Sequence, residues 1–172
     1  LWIDNWRWKG VPFYLRSGKR LQRKVSEIAI NFKPVPHSIF QPLGPEHLEP
    51  NVLVLNVQPE EGAAMSIQAK CPGPHLCIGT LTMDFRYRDA LGVDPPEAYE
   101  RLLLDCMLGD QTLFARSDNI RHSWNLLDPV LDTWEKQSAS EGAHRLHRYE
   151  SGGWGPDAAG ELLLPGHEWR RP

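Results

Sequence analysis

The feature that most constrains the fold of this chain is a series of four segments in which apolar and polar residues alternate. The segments cover residues 24–32, 51–58, 63–70 and 80–87. Alternation with a period of two places every second side chain on the same side, so each segment predicts a half-buried β-strand. Because no helical pattern separates the segments, they predict an antiparallel sheet in which consecutive strands are neighbours.

A helical pattern replaces the alternation in the second half of the chain. A first helix is predicted to begin at Asp94, which is a good N-cap residue, and to end before Gly109. A second helix is predicted to begin at Ser117, and Pro129 is expected to kink or split it. A third, short helix is predicted over residues 156–164. Strands followed by helices predict an α+β domain: a large, mainly antiparallel sheet with helices packed on one face.

Residues 11–24 form a basic segment that is the strongest candidate for binding a ligand. The segment opens with β-forming residues that predict a short strand, and Gly18 then permits a backbone bend. Four cations follow within six positions: Lys19, Arg20, Arg23 and Lys24. Several cations on a tight loop suit a small anion such as a phosphate group. A solvated basic loop without a ligand is the alternative, and the residues alone leave both interpretations open.

The charge distribution favours a small anionic ligand over a large one. The net charge of the 172-residue chain is −3, which provides no general attraction to nucleic acid or to an anionic membrane. Residues 1–24 nevertheless hold seven cations and one acid. No apolar run reaches the ~20 residues that a membrane-spanning helix needs. We therefore expect neither a nucleic acid nor a membrane as a partner.

The cysteines and histidines form no recognisable disulfide or metal pattern. Cys71, Cys77 and Cys106 are odd in number and lack the C-x-x-C spacing. This argues against a disulfide framework and a zinc site, and it favours a reducing cytoplasm. His144 and His147 have the spacing of a metal pair, but no further ligand lies at a suitable spacing. We expect no metal, and no glycine-rich dinucleotide fingerprint follows a predicted strand.

Six segments, in order along the chain, carry a resemblance to a known family. They are residues 8–19, 32–40, 57–62, 94–105, 114–118 and 155–159. Together they resemble the C-terminal domain of glucose-6-phosphate dehydrogenases. The resemblance implies that residues 1–172 are the substrate-binding and dimerisation domain of such an enzyme, with the Rossmann domain and the catalytic histidine outside this chain. The chain is therefore expected to be inactive alone.

The resemblance also implies a reaction, a cofactor and a set of site residues. These enzymes oxidise glucose 6-phosphate to 6-phosphogluconolactone with NADP, in the cytoplasmic pentose phosphate pathway. The family pattern assigns substrate binding to Lys19, Lys24 and Gln58 of this chain. It implies no catalytic residue, cofactor contact or metal ligand here. The N-terminal domain of the family holds most of the NADP contacts, including those that select NADP or NAD.

Two further expectations concern assembly and the branch of the family. The family's sheet forms a subunit interface, so a homo-oligomer, a dimer or a tetramer, is expected through the sheet. Eukaryotic members bind a second NADP through basic residues on this domain, but the matching positions here are uncharged: Val25, Ala29, Asn56 and Trp154. Only Arg16 remains of that cluster, which implies a bacterial-type member. A stand-alone, non-catalytic module for sugar-phosphate binding or dimerisation remains the alternative.

Overall fold

The computed structural model describes residues 1–37, 48–92, 97–138 and 147–172. The chain divides into two compact units. The sheet unit contains Leu1–Val93 and Tyr149–Pro172, and the helical unit contains Asp94–Arg148. None of the helices in the described ranges is both long enough and apolar enough to cross a membrane.

The sheet unit is built on four antiparallel strands whose order in the sheet follows their order in the chain. The strands are β1 (Ser26–Asn31), β2 (Val52–Gln58), β3 (Gly62–Lys70) and β4 (Ile78–Arg86). Each strand begins and ends within two residues of the alternating segment that predicted it. A short helix, α1 (Tyr87–Leu91), follows β4. The antiparallel sheet and the α+β class are confirmed.

One face of this sheet is almost continuously apolar. The strand register places Ile28 of β1 opposite Leu55 of β2, and Met65 of β3 opposite Met83 of β4. We call this side of the sheet the apolar face, and its members are Ile28, Ile30, Leu53, Leu55, Met65, Ile67, Leu81, Met83 and Phe85. Because paired residues lie on the same side of a sheet, the four alternating patterns add up to one surface.

The apolar face is more open than the alternation predicted. Ile28, Ile30 and Phe32 were expected to make the first strand half-buried, but they are 55%, 42% and 45% exposed. Val54 lies on the opposite face and is only 5% exposed. Alternation determines the side of the strand on which a residue lies, but it contains no information about what covers that side. The prediction of burial on this face is therefore corrected.

The first predicted helix is α2 (Ala98–Leu108). It ends as predicted at Gly109, whose φ of 73° is the left-handed conformation that glycine adopts readily. The predicted start at Asp94 lies outside the described residues. On α2, Nε of Arg101 donates to both carboxylate oxygens of Asp105 at 2.8 and 2.9 Å. This bond raises the pKa of the Arg101 guanidinium, and it satisfies a carboxylate that is almost fully buried.

The second predicted helix is α3 (Ser117–Ser138), which continues through Pro129 as one helix. Of the two effects predicted for Pro129, a kink or a split, the split is wrong. Proline removes a single N–H donor, whereas the turns before and after it keep their own hydrogen bonds. The hydroxyl of Thr133 also donates to the carbonyl of Pro129 at 2.6 Å. The third predicted helix, in the sheet unit, is a short 3-10 helix (Asp157–Leu162).

The connection between β3 and β4 contains a disulfide that the sequence did not predict. Cys71 and Cys77 are bonded through their sulfur atoms, with their Cα atoms 5.2 Å apart. The expectation that these cysteines form no disulfide is therefore wrong. Lys70 pairs with Ile78 at the ends of the two strands, so the strand register brings the next residues, Cys71 and Cys77, side by side. Cys106 is free and exposed.

Candidate anion-binding loop

The segment that leads into the basic residues is extended, but it is not the short strand that was predicted. Within the described residues its one ladder contact is an isolated antiparallel bridge between Pro12 and Trp2, and the amide of Phe13 donates to the carbonyl of Leu1 at 2.9 Å. Proline has no N–H to donate, which limits pairing at this position. The β-forming residues of this segment therefore adopt an extended conformation with a few backbone contacts, but they do not form a strand.

Residues 17–24, which we call the basic loop, present Lys19 and Lys24 on the surface. Both side chains are exposed. Among the residues that the structure describes, neither ammonium group lies in an ion pair or a hydrogen bond. Lys24 lies two positions before β1. Two cations without protein partners are available to an anionic ligand.

The bend of the basic loop occurs at a residue other than the one that the sequence indicated. Gly18 does not have a left-handed φ, whereas Arg20 has a φ of 55°. A residue other than glycine in this region is uncommon and needs support from its surroundings. The assignment of the bend to the freedom of Gly18 is therefore corrected, and the loop must be held in shape by other contacts.

A second segment, residues 149–153, supplies those contacts. We call it the supporting segment. Three hydrogen bonds join it to the basic loop: from Tyr149 Oη to the carbonyl of Lys19 (2.7 Å), from the amide of Gly152 to the carbonyl of Arg20 (2.9 Å), and from the amide of Gln22 to the carbonyl of Gly153 (3.0 Å). The sequence did not indicate this contact between the two segments. The available signal was Tyr149, three positions before the glycine pair Gly152-Gly153, but its contact with Lys19 spans 130 positions.

Arg16 lies just before the basic loop, and its guanidinium is already engaged. It lies over the rings of Trp154 and Trp169, at 5.0 and 5.3 Å from the ring centres, and it donates to the carbonyl of Arg170. Cation–π contacts of this kind hold the cation on the aromatic surface. Arg16 and Trp154 therefore tie the chain segments of the sheet unit together, while Lys19 and Lys24 remain free.

Gln58 is the last residue of β2, and the register pairs it with Ser26 at the start of β1. Ser26 is two positions after Lys24, so Lys24 and Gln58 approach the same end of the β1–β2 pair. The strand pairing thus places Gln58 and the end of the basic loop at the same end of the β1–β2 pair. Lys19 belongs to the same loop as Lys24, and all three substrate assignments remain predictions.

The described part of the chain contains no group of three or more His, Cys, Asp or Glu side chains placed to hold a metal ion. His144, one half of the metal-pair spacing, lies outside the described residues. An ion pair elsewhere in the sheet unit joins Arg170 to Glu27 at 2.8 Å. The chemistry available at the basic loop is therefore that of exposed ammonium groups, which bind anions electrostatically and by hydrogen bonds.

The α+β fold therefore carries a basic loop in which Lys19 and Lys24 are exposed and have no ion pair or hydrogen bond among the described residues. The chain belongs to a family of α+β domains, because the model of the family "Glucose-6-phosphate dehydrogenase, C-terminal domain" matches residues 1–170. The resemblance that the six sequence segments indicated is therefore confirmed.

Individual relatives agree with the family match. The chain is 47% identical over 171 residues to a glucose-6-phosphate 1-dehydrogenase from Aggregatibacter actinomycetemcomitans, and 43% identical to glucose-6-phosphate 1-dehydrogenase 2 from Mycobacterium bovis. These matches cover 99% of the chain but only 33% and 32% of the relatives. The chain thus spans about a third of the length of these relatives.

Solved structures give the same result for the fold. A glucose-6-phosphate dehydrogenase in complex with its substrate glucose-6-phosphate superposes with a TM-score of 0.80 at 32% identity, covering 98% of this chain and 34% of that one. The glucose-6-phosphate 1-dehydrogenase from Mycobacterium avium superposes with a TM-score of 0.76 at 38% identity, covering 99% of this chain and 34% of that one. At this identity the similarity supports the family as well as the fold.

Proposed function

We propose that this chain is the substrate-binding and oligomerisation domain of an NADP-dependent glucose-6-phosphate dehydrogenase. The complete protein oxidises glucose 6-phosphate to 6-phosphogluconolactone, as a cytoplasmic enzyme of the pentose phosphate pathway. The observation that carries this proposal is the family match over residues 1–170, with curated relatives at 40–47% identity named for this activity.

In this proposal Lys19 and Lys24 bind the sugar phosphate. A phosphate monoester carries up to two negative charges near neutral pH, and the sugar adds several hydroxyl groups. Lysine ammonium groups are compact cations on flexible stems and suit either kind of oxygen. Gln58 lies at the neighbouring strand end and is assigned to a sugar hydroxyl, because an amide both donates and accepts hydrogen bonds.

NADP does not fit the residues that the structure describes. The described residues contain no glycine-rich turn between a strand and a helix that would cradle a pyrophosphate. Arg16 is covered by Trp154 and Trp169, so it is not free for the 2′-phosphate. The proposal therefore assigns the cofactor to a part of the complete protein outside this chain, and no step at the basic loop involves it.

The first expected result tests the proposed activity. The complete protein that contains this chain should reduce NADP in the presence of glucose 6-phosphate, and the 172-residue chain alone should produce no reduced cofactor, because it contains no dinucleotide fingerprint. The measurement is absorbance of the reduced nicotinamide, with NADP and NAD compared in parallel. A stand-alone sugar-phosphate module would instead bind glucose 6-phosphate without any turnover in the complete protein, and that result would contradict the proposal.

The second expected result concerns self-association through the apolar face. A second copy of the chain is the proposed occupant, since large exposed apolar surfaces mark interaction sites and Ile28 and Met83 are more than half exposed. Sedimentation of the chain at micromolar concentration should give a dimer or a tetramer. Met83→Lys should shift the population towards monomer, because docking would bury a charge.

Thr82→Lys provides the matched control for this experiment. Thr82 precedes Met83 on β4 and lies on the opposite face of the sheet. The substitution Thr82→Lys therefore adds the same charge without altering the apolar face. It should leave the association unchanged. Two results would show that the apolar face is not the interface between copies: a chain that is strictly monomeric, or equal effects of Met83→Lys and Thr82→Lys on the association.

A further inference from the structure

The backbone of the basic loop has an unusual conformation that its own sequence does not enforce. Arg20 has a φ of 55°, which is disfavoured for a residue with a side chain. The carbonyls of Lys19 and Arg20 and the amide of Gln22 all bond to the supporting segment. The one contact of these three that depends on a side chain comes from Tyr149.

Gly18 makes room for that side chain. A Cβ atom at Gly18 would lie 2.8 Å from Tyr149 Oη, closer than carbon and oxygen atoms normally approach. Since Gly18 has no left-handed φ, space rather than backbone freedom explains glycine at this position. The absent side chain lets the Tyr149 hydroxyl reach the Lys19 carbonyl at 2.7 Å.

We infer that Tyr149 is a positioning residue for Lys19: its hydroxyl holds the backbone from which the Lys19 ammonium reaches the substrate. The inference rests on the proposed function, because it assumes that Lys19 binds glucose 6-phosphate. A loop held in its binding conformation before the ligand arrives loses less conformational freedom on binding. Tyr149 thus contributes to substrate affinity without touching the substrate.

The test is Tyr149→Phe in the complete protein, which removes one hydroxyl and keeps the ring. We expect the KM for glucose 6-phosphate to rise about 3- to 10-fold, the scale of one neutral hydrogen bond. We expect kcat and the KM for NADP to stay within about twofold, because a looser loop weakens the bound substrate and the transition state equally. A general loss of folding would instead impair all three together and reduce Tm.

Tyr14→Phe is the matched control variant. The Tyr14 hydroxyl also joins distant segments, since it accepts from the amide of Leu164 and contacts Nδ1 of His167, both at 3.1 Å. Within the described residues its hydrogen bonds do not reach the basic loop, so its removal should leave the KM for glucose 6-phosphate unchanged. An equal rise in KM for both tyrosine variants would overturn the positioning role.

A double variant separates this inference from the proposed function. In a Lys19→Ala background, Tyr149→Phe should have no further effect on KM, because the group that Tyr149 positions has been removed. If Lys19→Ala raises KM and Tyr149→Phe does not, or if the two effects multiply, the positioning role alone is overturned. If Lys19→Ala leaves KM unchanged, the assignment of Lys19 to the substrate is overturned and the inference falls with it.

Discussion

Replacing Lys19 with alanine in the complete protein is expected to lower kcat/KM for glucose 6-phosphate by roughly 10- to 150-fold. The reason is the loss of one charged contact of about 1.5–3 kcal/mol in a partly dry site. Lys24→Ala should have an effect of the same size. Both side chains are exposed in the chain, so their removal deletes charge and little packing, and the fold should remain intact. Steady-state kinetics with Tm as a folding check is the measurement.

Arg23→Ala is the best control for the two lysines. Arg23 is an exposed cation of the same loop and is assigned no substrate contact, so kcat/KM should change by less than about twofold. Arg20 is a poorer control, since its left-handed backbone makes any substitution there a change of loop stability as well as of charge. If Arg23→Ala cost as much as Lys19→Ala, a general positive field would explain binding, and the residue assignment would be wrong.

Lys19→Arg adds a second comparison at the same position. It keeps the positive charge but replaces a point charge with a planar fork, whose donors have a fixed geometry. We expect it to recover only part of the activity lost in Lys19→Ala. Full recovery would indicate that charge alone matters at this position.

Gly62→Ala is expected to destabilise the chain by about 1–3 kcal/mol, the usual cost of overpacking a close contact. Gly62 opens β3 and is paired with Asn56 of β2 and Arg86 of β4. A Cβ atom added at Gly62 would overlap the carbonyl oxygen of Phe85, and it would lie 3.2 Å from the Cα atom of Arg86. These neighbours are backbone atoms of the sheet, so they can move only if the strand pairing changes.

Thermal unfolding followed by circular dichroism measures this effect, and Tm should fall by roughly 3–10 °C. Gly160→Ala is the control, because a Cβ added at Gly160 would meet no neighbouring atom within 4 Å and the residue has no left-handed φ. Its Tm should be equal to or slightly above that of the unchanged chain, since alanine reduces the freedom of the unfolded state. Equal Tm values for the two variants would contradict the close approach of β3 and β4 at Gly62.

The sequence by itself determined the four strands of the sheet and the family of the chain. The four strands were predictable because alternation depends only on neighbours two positions apart. The end of α2 at Gly109 was predictable because a left-handed C-cap is a local property of glycine. The six family segments were sufficient to indicate a domain that the family model then matched over residues 1–170.

The tertiary structure alone decided which residues meet. The strand register, not the spacing, brought Cys71 and Cys77 together. The close approach of the Tyr149 hydroxyl explained why residue 18 is glycine. Tyr149 lies 130 positions from its hydrogen-bond partner Lys19. The exposed fraction of the side chains on the apolar face likewise depended on which other segments of the chain contact them. Patterns over a few residues reflect local backbone preferences, whereas contacts between distant segments depend on how the chain packs, and no local pattern contains that information.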